Sequence, residues 1–175
     1  MQQEDLLDDN FFETEYEYDV SVLRTGNFII LYLATFTLYA TWWQYKQWRF
    51  FKEKDNSDIM PIPRAIFTIF FLHGLFDRIQ DFAFSNGYRK EYSSTGLFMA
   101  VIVLSLTSRL PGWLSSLSFC GFVGFLPPLK ALNYALRGDE LTGVDLSEFN
   151  WRQWSLILFG GALVLSAFLG VLPKA

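Results

Sequence analysis

Two long runs without a charge bound what this chain can fold into. The first, Asn27 to Trp43, reads NFIILYLATFTLYATWW, and the last, Trp154 to Leu172, reads WSLILFGGALVLSAFLGVL. A helix needs about 20 mostly apolar residues to cross the hydrocarbon of a bilayer, and both runs approach that length. Trp42, Trp43, Tyr45 and Trp48 close the first run, and Lys46, Arg49, Lys52 and Lys54 follow at once. Aromatic rings with basic side chains behind them form the collar expected at headgroup level. Transmembrane helices are therefore expected over 27–43 and 154–172.

Three further segments lie between them. Thr95 to Thr107 and Trp113 to Leu126 are short apolar runs joined through Arg109 and the turn pair Pro111-Gly112, which predicts a tight hairpin of two spans over 94–108 and 112–128. Pro61 and Pro63 signal a helix start. Beyond them only Ala65 to Phe76 is uncharged, too short to span. Phe71, Leu75, Ile79 and Phe82 then recur at three- and four-residue steps, with Asp77, Arg78, Gln80 and Asp81 between. That pattern fits a helix lying in the interface, or re-entering without crossing, over 63–84. The expected fold is an all-α membrane protein with about four transmembrane helices plus one interfacial amphipathic or re-entrant helix. Residues 1–25 are expected to form an acidic, disordered tail, and 26–175 the helical transmembrane domain.

Charge supports this class and orients it. Hydrophobic residues make up 51% of the chain and charged ones 18%, against about 25% charged in a typical soluble domain. Eight acidic residues, from Glu4 to Asp19, crowd the N-terminus, so the net charge of −4 says little about partners. No basic tract is dense enough to argue for nucleic acid. If the segment after Pro63 lies flat, eleven of the basic residues fall on one side and three, Arg24, Arg109 and Lys174, on the other. If it spans, the split is even. The bias toward basic cytoplasmic loops therefore predicts four spans, both termini outside the cytoplasm, and the second helix at the cytoplasmic interface. The N-terminus does not read as a signal peptide, and neither end carries a lipidation motif.

Few residues are candidates for chemistry. Cys120 is alone, which excludes an internal disulfide and a cysteine zinc site, and His73 is alone, which excludes a histidine cluster. His73 could relay protons, but Asp77 stands at i+4 and a local pair is a sufficient explanation. Arg64 flanks an apolar run, where a charge is either functional or snorkelling, and Arg109 lies in a turn. Arg64, His73 and Asp77 are the candidate functional residues. Trp42, Trp43, Lys46, Trp48, Arg49 and Lys52 are expected to meet lipid headgroups. Small residues mark helix packing: Gly121, Gly124, Gly160, Gly161, Ala162, Ser166 and Gly170. The rows Ser116, Cys120, Gly124 and Ala162, Ser166, Gly170 are each spaced by four, which lets helix backbones approach in lipid, within this chain or between copies. No nucleophile–base pattern, metal spacing or phosphate loop is present, so no metal and no cofactor is expected, and the spans hold no row of carboxylates.

The strings FTLYATWWQYKQW and PIPRAIF, with Leu75-Phe76 after them, resemble a family of uncharacterised bacterial multi-pass inner-membrane proteins with a YxxYWxYxxW…PxxRAxF pattern. Arg89 to Tyr92, Leu129 to Tyr134 and Gly160-Gly161 extend the likeness from about Asn27 to the C-terminus, with a departure at Thr41-Trp42-Trp43-Gln44. The resemblance implies a bacterial inner (plasma) membrane location and transfers no catalytic residue. The functional expectation is a non-enzymatic accessory or scaffold subunit, or a lipid-interacting one, partnered by membrane lipids and by another protein or further copies of itself. An oligomeric channel or transporter subunit is the alternative. A membrane enzyme, third, would need Arg64, His73, Asp77 and Asp81 to converge on a lipid headgroup.

Overall fold

In the computed structural model, residues 22–138, 145–146, 154–160 and 162 are described. They are mostly helical. The chain enters through β1 (Val22–Leu23) and continues as α1 (Thr25–Ala34), α2 (Leu38–Lys54), α3 (Pro61–Ile66), α4 (Thr68–Ser85) and α5 (Ser94–Leu106). A short 3-10 turn at Thr107–Arg109, a long 3-10 segment at Gly112–Phe125, α6 (Leu126–Gly138) and β2 (Asp145–Leu146) follow. Residues 154–160 are helical.

The run expected to cross as one helix over 27–43 is broken. Phe36 and Thr37 take positive φ, 49° and 74°, a region costly for bulky and β-branched residues. The break is stable because every N–H from Thr35 to Ala40 finds an acceptor. Thr37 N–H reaches back to the Tyr32 carbonyl at 2.9 Å, and Leu38 N–H to the Thr35 carbonyl at 3.1 Å. The Thr35 hydroxyl donates to the Leu31 carbonyl at 2.8 Å and accepts from the Tyr39 N–H at 2.9 Å. One hydroxyl therefore joins the last turn of α1 to the first turn of α2. At 1.5 Å per residue, the ten residues of α1 reach about 15 Å, too short to span alone.

Other element ends follow local chemistry. Pro61 opens α3 at a position where its missing N–H costs nothing. The Ser93 hydroxyl caps α5 by accepting from the Gly96 N–H at 3.1 Å, as an N-cap serine should. Gly87, at φ 85°, ends α4 with the Tyr88 N–H on the Ala83 carbonyl, the left-handed stop that glycine favours.

The core is aromatic. Phe125, at the end of the long 3-10 segment, meets Phe28 at 6.0 Å, Tyr32 at 6.2 Å, Trp43 at 6.0 Å and Phe76 at 5.7 Å between ring centroids. The expected amphipathic helix is present as α3 and α4, parted at Phe67. Leu75, Ile79 and Phe82 are buried, as the three- and four-residue steps require, and Phe71 is half-buried against the core. Leu129, Leu132 and Leu136 of α6 join the same core. Val22 and Leu23, expected in the tail, are buried instead. They pair in parallel with Asp145 and Leu146, and the Asn133 side chain bonds both backbone groups of Leu23. The remainder of the expected tail, residues 1–21, lies outside the described residues.

Four spans are not supported. Among the described residues one helical segment, Gly112–Arg137, is long and apolar enough to cross a membrane, and only 28% of its apolar stretch is buried within the protein. The expected 94–108 span is α5 plus one 3-10 turn, and is shorter than that. The hairpin between the two is present, turned at Pro111-Gly112 with Gly112 at φ 72°. Of 154–172, only 154–160 and 162 are described.

Thr35→Val keeps the shape of the side chain but removes the hydroxyl that accepts from the Tyr39 N–H. It should cost about 1–2 kcal/mol, read as a lower unfolding midpoint in detergent, whereas Thr35→Ser should stay close to the parent.

Candidate functional site

The basic–aromatic collar folds inward more than expected. Trp43 is 3% exposed and sits edge-on to Phe28 and Phe125. Trp48 is 2% exposed. Both were expected at headgroups and both belong to the core, because the break at Thr35–Thr37 re-aims α2 and turns this face toward α1, α3 and α4. Trp42 is exposed and carries the Lys46 ammonium 6.0 Å from its ring centroid. Arg49 and Lys52 are exposed, with Arg49 bonded to Glu53 at 2.8 Å one turn along. Lys54 lies over the Phe82 ring at 4.8 Å.

Trp48 is the centre of a cationic cluster. The Arg64 guanidinium lies 4.7 Å from its ring centroid and 5.4 Å from that of Phe71. The Arg78 guanidinium lies 5.8 Å from the same Trp48 ring and pairs with Asp55 at 3.0 Å. Cations over an indole face are attracted by its quadrupole, more strongly when desolvated. Three buried polar atoms on this face of α2 have no hydrogen-bond partner: Gln44 Oε1, Gln47 Oε1 and Trp48 Nε1. Arg78, Gln44 and Gln47 were not picked out from the sequence. The available signal was their spacing, since 44, 47 and 48 share one helical face and two amides there interrupt a row of aromatics.

His73 and Asp77 do come together, as the i+4 spacing predicts, with Nδ1 3.2 Å from the Asp77 Oδ2. A partner from outside the helix completes the chain: the Thr95 hydroxyl lies 3.0 Å from His73 Nε2. With Nδ1 protonated, the neutral ring donates to Asp77 and accepts from Thr95. Carboxylate, imidazole and hydroxyl in that order are the parts of an activated nucleophile. Here the His73 and Asp77 side chains are 43% and 49% exposed, so water screens the pair, and its evident work is to clip α4 to the first turn of α5. The Tyr92 hydroxyl adds a second clip, donating to the Phe76 carbonyl at 2.7 Å. Burial pushes the Tyr92 phenol pKa upward, and the nearby Asp77, Tyr88 and Asp81 push it further. Arg64 is not part of this group, so the four residues expected to converge on a headgroup do not do so as a set.

The small residues serve packing inside the chain, on a different row from the one expected. A 3-10 helix repeats every three residues, so Ser116, Cys120 and Gly124 do not share a face over Gly112–Phe125. Ser116 and Cys120 are exposed; Gly121 and Gly124 are buried, in line with the half-buried Ser115 and Ser118. A Cβ at Gly121 would meet the Tyr32 hydroxyl at 2.6 Å, and one at Gly124 would press on Val101 and on the Leu97 carbonyl at 3.1 Å. A Cβ at Gly160 would fall on the Ala34 carbonyl, so the 154–160 helix lies directly on the end of α1. Ala162 is exposed. Gly161, Ser166 and Gly170 lie outside the described residues. Among the described residues, no group of three metal-ligating side chains is present. The chain matches no family model, no curated protein and no solved structure.

Gly124→Val should overpack the hairpin and cost about 1–3 kcal/mol. His73→Ala, which removes one exposed clip, should cost no more than about 1 kcal/mol. Thermal unfolding of the two variants beside the parent checks the order.

Proposed function

We propose that this chain is a multi-pass integral membrane protein without enzymatic activity, which acts as a lipid-interacting accessory or scaffold subunit. The observation that carries the reading is the amount of large apolar surface that the fold leaves uncovered. Trp113 is 75% exposed, Phe70 74% and Leu38 72%, with Met60, Ile62, Ile66, Phe67, Ile69, Val103 and Leu106 also exposed. In water such a surface would drive association; in hydrocarbon it costs nothing. The long 3-10 segment bears on the crossing as well. Its rise of about 2.0 Å per residue stretches fourteen residues over about 28 Å, close to the roughly 30 Å of a bilayer core.

The hairpin is compatible with the proposed topology. With Arg109 outside, α5 runs outward and the 3-10 segment returns, so the far ends of both face the cytoplasm with the basic collar. The first crossing, broken at Thr35, remains compatible with this because the break leaves no N–H bare. That arrangement keeps both termini outside. The oligomeric channel is less well supported, since Gly121, Gly124 and Gly160 are each used against neighbours in the same chain.

The chain expressed in bacterial cells should stay in the membrane pellet after alkaline carbonate washing and enter solution only with detergent. Release by carbonate alone would refute the integral reading. A reporter inserted after Asn86 should be active on the cytoplasmic side, and external activity would reverse the proposed topology.

A further inference from the structure

Trp48 is buried, yet its Nε1–H has no acceptor. Native folds rarely leave such a donor bare. Two guanidiniums cover the same ring. Arg78 is neutralised by Asp55, whereas Arg64 makes no ion pair among the described residues. The cluster therefore holds one cation in excess of its carboxylates. An anion with several acceptor oxygens would balance that charge.

The residues around Arg64 indicate what else the ligand carries. Met60, Ile62, Ile66 and Phe67 flank it and are exposed, so a ligand with its charge at Arg64 would lay any hydrocarbon across them. A small free anion would leave that surface bare. A phosphate offers tetrahedral acceptors to a guanidinium fork. We propose that Arg64, Arg78 and Trp48 form a site for the phosphate of an anionic phospholipid, with its acyl chains over α3. The proposal rests on the membrane reading above and deepens it, since it names the lipid class and the residues that recognise it. Exposed Arg49 and Lys52 contribute a general attraction to anionic membranes, whereas this site selects individual molecules.

The test uses the full chain, purified in mild detergent and exposed to phosphatidylglycerol or phosphatidylcholine, with retained lipid counted by native mass spectrometry. Phosphatidylglycerol should be retained roughly tenfold better, the choline cation being repelled by the arginines. Arg64→Gln should lower its retention about tenfold, the effect of one charge-assisted hydrogen bond. Trp48→Phe, which keeps a ring but gives the guanidiniums a weaker face to stack on, should lower it several-fold, and Arg64→Lys should restore only part of the loss. Arg78→Gln provides a second charge variant if Arg64→Gln unfolds. Equal retention of the two lipids would overturn the proposal, as would unchanged retention in both arginine variants. Displacement of the lipid by inorganic phosphate at matching concentration would also overturn it, because the site would then recognise free phosphate. Carbonate extraction of the same variants separates the two claims. A chain that stays embedded but shows no lipid preference loses the site and keeps the membrane reading; a chain released by carbonate loses that reading itself.

Discussion

A single hydroxyl holds the turn on which the arrangement of this chain depends. Thr35 donates to the Leu31 carbonyl and accepts from the Tyr39 N–H, closing a break that otherwise demands positive φ at two side-chain-bearing residues. Had α1 and α2 formed one straight helix, Phe28 and Trp43 would stand about 22 Å apart along its axis at 1.5 Å per residue. Because the axis changes at Thr35, the Trp43 and Trp48 rings turn back into the protein. Trp43 then packs on Phe28 and Phe125, and Trp48 becomes the platform for arginines from α3 and α4.

The second organising feature is the 3-10 geometry of Gly112–Phe125. Runs of this helix beyond three or four residues are uncommon, and here one is stabilised from two sides. Ser115 and Ser118 hydroxyls bond the carbonyls three residues back, and glycines at three-residue steps let Val101 and Tyr32 approach. The segment is thin and long where an α-helix of the same residues would be short. It delivers Phe125 to the centre of the aromatic core while leaving Trp113 and Val123 facing outward.

Much of this was legible in the sequence. Pro61, Pro111-Gly112 and the steps from Leu75 to Phe82 act locally, so the start of α3, the hairpin and the buried face of α4 could be read directly. The pairing of His73 with Asp77 is equally local. What escaped was tertiary. Nothing local to TFT at 35–37 signals a helix break, because threonine and phenylalanine are not breakers and the stabilising hydroxyl acts across it. Gly121 and Gly124 were named as packing residues from the sequence, but the row Ser116, Cys120, Gly124 spaced by four suggested an α-helical face, and the 3-10 repeat aligns Gly124 with Gly121 instead. The partners of Trp48 and of His73 lie 16 to 30 residues away in the sequence, beyond any spacing rule.

On the proposed membrane reading, hydrocarbon covers the apolar faces that this fold leaves open. Photolabelling from within the bilayer, with a lipid carrying a diazirine deep in its acyl chain, reads this directly when labelled peptides are mapped along the full chain. Labelling is expected around Ile66–Phe70 and along the outward side of 103–123, with the buried stretch around Leu129–Leu136 spared. Uniformly absent labelling, with the same surfaces freely modified by a water-soluble reagent, would contradict it.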